Sequence, residues 1–219
     1  MINIHLRPRE FRAFFHASII VKDIMYFPDF AAFEKLTKEG NLVPIYREIL
    51  ADMETPVSVL KRLSDNAYAF LLESVEGGEK WGRYTFLGFH PKAIFKIRND
   101  EVIIEKDGEI IRQKHLGDPL KFLKETMGHN RPVTVAGCPR FYGGAVGFFG
   151  YDMVRYFERL PTAAQDNLKL DDAVFLLMDT MIIFDNVRHT IKAVACAFTG
   201  EKGDLKELYD ACTGRIEAL

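Results

Sequence analysis

The sequence has no long hydrophobic run. None of its apolar stretches reaches the ~18 residues that a membrane-crossing helix needs, so no membrane partner is expected. Cysteine is scarce. Cys138, Cys196 and Cys212 share no short spacing, form no CxxC pair and stand in no Cys/His cluster, which argues against a zinc site and a disulfide framework. So sparse a set suits small buried side chains in a reducing, cytoplasmic compartment. Excess charge of one sign is missing too: the formal net charge is −2, and no basic stripe with interleaved aromatics offers itself to a nucleic acid.

Self-sufficient catalytic motifs are also missing. There is no GxSxG elbow and no HExxH helix, and the six histidines are scattered among turns and charged neighbours. The stretch GGAVGFFG invites a nucleotide reading but fails it. No Lys-Ser/Thr follows to complete a P-loop, and the glycines at 143, 144, 147 and 150 do not give GxGxxG. Glycines at such spacing in an apolar strand let neighbours approach closely. Asp171-Asp172 and the series Glu73, Glu76, Glu79 read best as solvated faces. No catalytic residue and no metal ligand is assigned.

What is present is an ordinary globular balance, 48% hydrophobic and 27% charged, in 219 residues, enough for one large domain or two small ones. Asp29 caps a helix with the stripe Phe30, Phe33, Leu36, closed by Gly40-Asn41. Residues 42–50 alternate as a strand, with Pro44 near an edge. Thr55-Pro56 starts a helix with Val57, Leu60 and Leu63 inward. Strands are predicted over 67–74, 84–89 and 93–98, then a hairpin turning at Asp107-Gly108. Asp118-Pro119 opens a further helix, carrying Leu120, Leu123 and Met127. Residues 139–160 read as a crowded strand followed by a helix from Asp152, and residues 173–185 and 189–198 as one long antiparallel pair. Asp204 caps a last helix. Hairpin-like strands with a few helices and no βαβ alternation predict an α+β fold of mostly antiparallel sheets.

The two ends stand apart. Residues 1–24 have a basic start and a short apolar piece broken by His16 and Ser18, with no cleavage site after it. They read as an extension, either upstream of the true start at Met25 or a transit peptide, to which Glu10 and Asp23 are ill suited. The apolar stripe of the last helix is still running at Leu219, so a further domain is expected after it.

One stretch could form a small-molecule site: FLLESVEGGEKWGRYTFLG, residues 70–88. A zwitterionic amino acid needs an acceptor for its ammonium, a cation for its carboxylate and an apolar slot. Glu73 suits the first role, Arg83 the second, and Ser74 can donate or accept. Leu71, Leu72, Phe86 and Leu87 could supply walls. The residues equally suit a plain strand connection, in which Glu73 and Ser74 end one strand and Arg83 lies on the surface.

At these residues the sequence resembles the large subunit, component I, of anthranilate synthase. The resemblance is carried by NLVPIYREILADMETPVSVLKRL (41–63), by residues 70–88 and by PRFYGGAVGFFGYDMVRYFERLP (139–161), and with the order of strands it covers residues 25–219. The family's LLES element is residues 71–74. Its GRYSFLG element is residues 82–88, with Thr85 for Ser, and its GGxxGY element is residues 143–148, with Phe148 for Tyr.

The resemblance implies the fold of the chorismate-utilising enzymes and restricts this chain to the family's N-terminal, regulatory domain. The whole enzyme converts chorismate and ammonia to anthranilate and pyruvate with Mg²⁺, the first committed step of tryptophan biosynthesis. A glutamine amidotransferase, component II, supplies the ammonia. Chorismate and Mg²⁺ belong to a C-terminal catalytic domain, so this chain alone is expected to be inert and to bind no cofactor. L-Tryptophan inhibits by feedback at a site built on the LLES strand. The residues carried over are Ser74, Glu73, Leu72 and Arg83, with residues 75–81 as a loop over the site. Component I of aminodeoxychorismate synthase, in folate synthesis, and a free-standing tryptophan-binding module are the alternatives.

Overall fold

The computed structural model describes residues 25–51, 53–63, 68–74, 82–161, 167–200 and 203–219. The extension 1–24 and the loop 75–81 lie outside the described residues. Among the described residues, ten strands form two five-stranded antiparallel sheets, and four α-helices pack on them. In chain order the elements are α1 (Phe30–Leu36), β1 (Leu42–Leu50), α2 (Pro56–Leu63), β2 (Ala69–Leu72), β3 (Tyr84–Phe89), β4 (Ala93–Arg98), β5 (Glu101–Lys106) and β6 (Glu109–Lys114). They continue with α3 (Lys121–Gly128), β7 (Gly144–Phe149), a 3₁₀ helix (Tyr151–Tyr156), β8 (Ala173–Met178), β9 (Thr180–Asp185), β10 (Thr190–Phe198) and α4 (Leu205–Ala218).

The first sheet has the order β1-β10-β9-β3-β2 and the second β6-β5-β4-β8-β7. The expected α+β class with antiparallel sheets is therefore correct. The expected long strand 173–185 is not one strand. It breaks at Asp179, so that β8 belongs to the second sheet and β9 to the first. The break has a physical cause. The Asp179 carbonyl accepts the Cys196 N–H at 2.7 Å, and its carboxylate binds the Arg215 guanidinium reaching over from α4. A strand that continued straight would lose both. The expected helix after Asp152 is two turns of 3₁₀ helix, anchored by Met153 in the core. The third helix starts at Lys121, and Asp118 accepts the Leu120 N–H at 3.0 Å just before it.

Local chemistry accounts for other elements as expected. Asp29 and Asp204 cap α1 and α4, accepting from Ala32 and Lys206 N–H; such a cap is worth about 1 kcal/mol. Asp107 and Gly108 both take positive φ, the geometry of a two-residue hairpin turn. Gly147 makes the close approach anticipated for the glycine series, since a Cβ there would lie 1.9 Å from the Val174 carbonyl oxygen.

Period-two alternation divides the first sheet into two faces. Leu71, Leu87, Phe89, Ile182, Phe184 and Ile191 form a buried cluster with Val59, Leu60 and Leu63 of α2, whereas Val57, expected inward, is exposed and Val59 takes its place. Further along, α4 packs on β1 and β10. Tyr209 of α4 meets Phe33 of α1 with ring centroids 5.3 Å apart, and its hydroxyl donates to the Pro28 carbonyl at 2.9 Å. The other face is covered along part of its length by the segment 132–143. Tyr46 donates to Ala136 O at 3.0 Å, and Phe141 meets Phe86 edge-on at 5.0 Å.

Candidate functional site

The corner of interest is where β2 leaves the first sheet and β3 enters it. The two strands pair antiparallel with Leu72 opposite Phe86, so the exit of one and the entry of the other are neighbours. The strand is shorter than expected. It ends at Leu72, and Glu73 and Ser74 follow it, both exposed. Arg83 stands one residue before β3. Ser74, Glu73, Leu72 and Arg83 therefore gather at one end of one hairpin.

The four candidate walls do not stay together. Leu72 and Phe86 share one face, while Leu71 and Leu87 point to the opposite one, where Leu87 is fully buried near α2. An apolar slot at this corner therefore uses Leu72 and Phe86. Tyr84 lies on that same face, 6.1 Å from the Phe86 ring, and Phe141 stands behind Phe86.

The sheet brings four charged side chains to this face that no local motif connects. Arg83 binds Asp185 through two nitrogens, Nε at 3.2 and 3.3 Å and Nη2 at 2.8 Å. The Asp185 side chain is only 2% exposed against 37% for Arg83. Asp185 also accepts the N–H groups of Val187 and Arg188 at 3.2 and 3.1 Å, which ties down the β9–β10 turn. Burial alone would raise the Asp185 carboxyl. The bonds from Arg83, Arg188 and Val187 outweigh it and hold the carboxyl below the usual carboxylate range. The same bond from Asp185 raises Arg83 above its ordinary value.

The second pair is Lys192–Glu48. Residues Glu48, Lys192, Ile183, Phe86 and Leu72 face one another in a single row across the sheet. The Lys192 side chain is 2% exposed and its ammonium binds Glu48, which also accepts the Thr190 hydroxyl at 2.7 Å. Burial acts to raise the Glu48 carboxyl, but those two bonds lower it further. Neither pair was legible in the sequence. Each joins residues more than a hundred positions apart, and only strand register places them. Among the described residues no three His, Cys, Asp or Glu side chains converge as ligands for an ion, and no helix is long and apolar enough to cross a membrane.

No family model matches the chain. Comparison with curated proteins is clear. The chain is 34% identical over 196 residues to anthranilate synthase component 1 of Acetivibrio thermocellus, covering 89% of this chain and 39% of that protein. It is 38% identical to the protein of the same name in Pseudomonas aeruginosa over 190 residues, 85% of this chain and 38% of that one. The Synechocystis protein is also 38% identical, over 199 residues, 89% of this chain and 39% of that one. Among solved structures, anthranilate synthase component I from Streptococcus pneumoniae is similar, with 25% identity and a TM-score of 0.48 over 78% of this chain and 36% of that one. The chain thus spans about two fifths of the length of the curated relatives it matches.

Proposed function

Since this chain belongs with anthranilate synthase component I, matching its N-terminal part, we propose that it is the regulatory and scaffolding region of such an enzyme in tryptophan biosynthesis. The corner of Leu72, Glu73, Ser74 and Arg83 is part of an L-tryptophan feedback site. Chorismate, ammonia and Mg²⁺ are handled by the portion of the family that this chain does not match, and component II, the glutamine amidotransferase, supplies the ammonia. The protein works in the cytoplasm.

The observation that carries this reading is the gathering of those four residues beside an aromatic wall. Leu72, Phe86 and Tyr84 offer an apolar surface for an indole. Glu73 stands beside it as an acceptor for the α-ammonium, and Ser74 and Arg83 offer donors to the carboxylate. Arg83 is already oriented by Asp185, which uses Nε and one terminal nitrogen. The second terminal nitrogen takes no part in that pair and is the group assigned to the ligand. Tryptophan would favour a domain arrangement less competent for chorismate, and linkage requires chorismate to oppose tryptophan to the same degree.

The test is a chimera in which residues 25–219 replace the matching part of the Pseudomonas aeruginosa enzyme. It should form anthranilate from chorismate, ammonia and Mg²⁺, and L-tryptophan should inhibit it. Ser74→Phe should raise the inhibitory tryptophan concentration at least about tenfold, the lower range of an allosteric coupling, with turnover spared. Unchanged inhibition in that variant would refute the assignment. Anthranilate formation by the 219-residue chain alone would refute its placement as a regulatory region.

A further inference from the structure

The corner holds a cation that the assignment above leaves idle. Arg188 lies in the turn between β9 and β10. Strand register sets that turn against the entry of β3, because Tyr84 faces Asp185 and Asp185 faces Thr190. The Asn186 N–H donates to the Arg83 carbonyl at 2.8 Å, and the Asn186 side chain donates to the Gly82 carbonyl at 3.0 Å. The Arg188 N–H donates to Asp185 Oδ1 at 3.1 Å. The carboxylate that orients the Arg83 guanidinium therefore also fixes the Arg188 backbone, and both arginines stand at the end of the sheet where β2 leaves it.

The charges at this end do not all cancel. Arg83 is matched by Asp185 and Lys192 by Glu48. Arg188 is exposed, and among the described residues its guanidinium has no ion-pair or hydrogen-bond partner. Its charge still acts on the corner's face. Burial raises the Tyr84 and Tyr46 hydroxyls, and Arg188 opposes that rise at both. Glu73 is the counterpart of Arg188: an exposed carboxylate that no cation among the described residues pairs with. One unmatched cation and one unmatched anion at one end of a sheet are the complement of a zwitterion. A ligand carboxylate also needs a cation of its own here. The Arg83 charge is already balanced by Asp185, so its second terminal nitrogen offers a donor without a surplus charge. Arg188 supplies that charge, and a carboxylate has two oxygens with which to meet two guanidiniums.

Resting on the tryptophan-site reading above, we propose that Arg188 is a specificity-determining residue of that site: with Arg83 it clasps the α-carboxylate, so that the corner selects an amino acid over the matching amine. The chimera carrying residues 25–219 tests this with L-tryptophan and tryptamine, which keeps the indole and the ammonium and lacks the carboxylate. In the parent chimera tryptophan should inhibit at a concentration at least about tenfold below tryptamine, the scale of one charge-assisted hydrogen bond. Arg188→Gln should raise the inhibitory tryptophan concentration about tenfold and leave that of tryptamine within about twofold, closing most of the gap. Arg188→Lys keeps the charge, loses the fork and should fall between the two. Arg188→Glu reverses the charge; it should weaken tryptophan further and strengthen tryptamine, which gives a second reading should Arg188→Gln fail to fold. A distorted site would weaken both inhibitors alike. Equal weakening of the two, or tryptophan inhibition unchanged in Arg188→Gln and Arg188→Glu, would overturn the role of Arg188 and leave the tryptophan site standing. A parent chimera that tryptophan does not inhibit would overturn the site itself, and this inference with it.

Discussion

Replacing Asp185 tests the electrostatic frame of the corner. Its carboxylate is buried to 2% exposure and serves two purposes: Oδ1 accepts the Val187 and Arg188 N–H groups, and both oxygens receive Arg83. Asp185→Asn keeps an oxygen for the turn but loses the charge. Asp185→Ala loses the oxygen as well and leaves two backbone donors without an acceptor. A buried donor left unsatisfied costs about 1–3 kcal/mol. The alanine variant should therefore lose about 3 kcal/mol, and the asparagine variant about 1 kcal/mol, because the guanidinium it releases is a third exposed and water can take it up. For a chain of this size the alanine variant should melt about 6–12 °C lower.

Acid adds a second signature. The Asp185 carboxyl is held below its ordinary value in the folded protein. Its contribution is therefore full above the unfolded carboxyl's pKa, about 3.9, and is lost as pH falls through the lower folded value. The penalty of Asp185→Asn, measured by urea unfolding, should be whole at pH 7 and shrink as the buffer is taken below about pH 4. An asparagine variant as unstable as the alanine one, or a penalty that persists unchanged in acid, would refute the division of labour proposed for this carboxylate.

Two further perturbations probe the sheets. In the Lys192–Glu48 pair the lysine is buried and the glutamate is 29% exposed. Glu48→Ala, which strands a buried ammonium, should cost about 3 kcal/mol, while Lys192→Met, which leaves a carboxylate that water and Thr190 can serve, should cost about 1 kcal/mol; equal losses in urea unfolding would contradict the asymmetry. At Gly147 an added Cβ would meet the β8 backbone at 1.9 Å, so Gly147→Ala should lose about 3 kcal/mol. Gly128→Ala, with nothing within 4 Å, should be neutral or gain a few tenths of a kcal/mol, roughly.

The elements that could be read in advance are those whose determinants are local. A capping Asp, a turn-forming Asp-Gly and the alternation of β1 carry their own chemistry within a few residues. The failures lie where a distant group decides. Nothing between residues 173 and 185 says that Asp179 will be claimed by Arg215 and by the Cys196 N–H, and so that the apolar run changes sheets there. The end of β2 at Leu72, two residues before the expected end, likewise depends on pairing with β3. At the corner, the closeness of Ser74, Glu73, Leu72 and Arg83 was legible because they flank one hairpin, while their role as a site came only from the family resemblance. Asp185, Lys192 and Glu48 were not, because register across four strands brings them there. A signal was available only in part: a charged Lys192 and Asp185 within apolar strands pointed to buried partners without naming them.

The pairing of these charges bears on which ligand the corner prefers. Arg83 with Asp185 and Lys192 with Glu48 each sum to zero, and the Arg188 guanidinium stands near Glu48 and Tyr84 as a further cation. Glu73 then adds one negative charge at the corner. A free carboxylic acid would bring a second negative charge beside Glu73 and leave that carboxylate without a cation, whereas a zwitterion brings its own ammonium to Glu73. On the proposed function, tryptophan should therefore inhibit the chimera far better than indole-3-propionate, which keeps the indole and carboxylate and lacks the ammonium. The expected gap is about tenfold or more, the scale of one charged hydrogen bond left unmade. Glu73→Gln should narrow it, because the variant weakens tryptophan and removes the charge that opposes the acid. Equal inhibition by the two compounds in the parent chimera would mean that Glu73 does not receive the ammonium, and the orientation assigned to the ligand would have to be reversed.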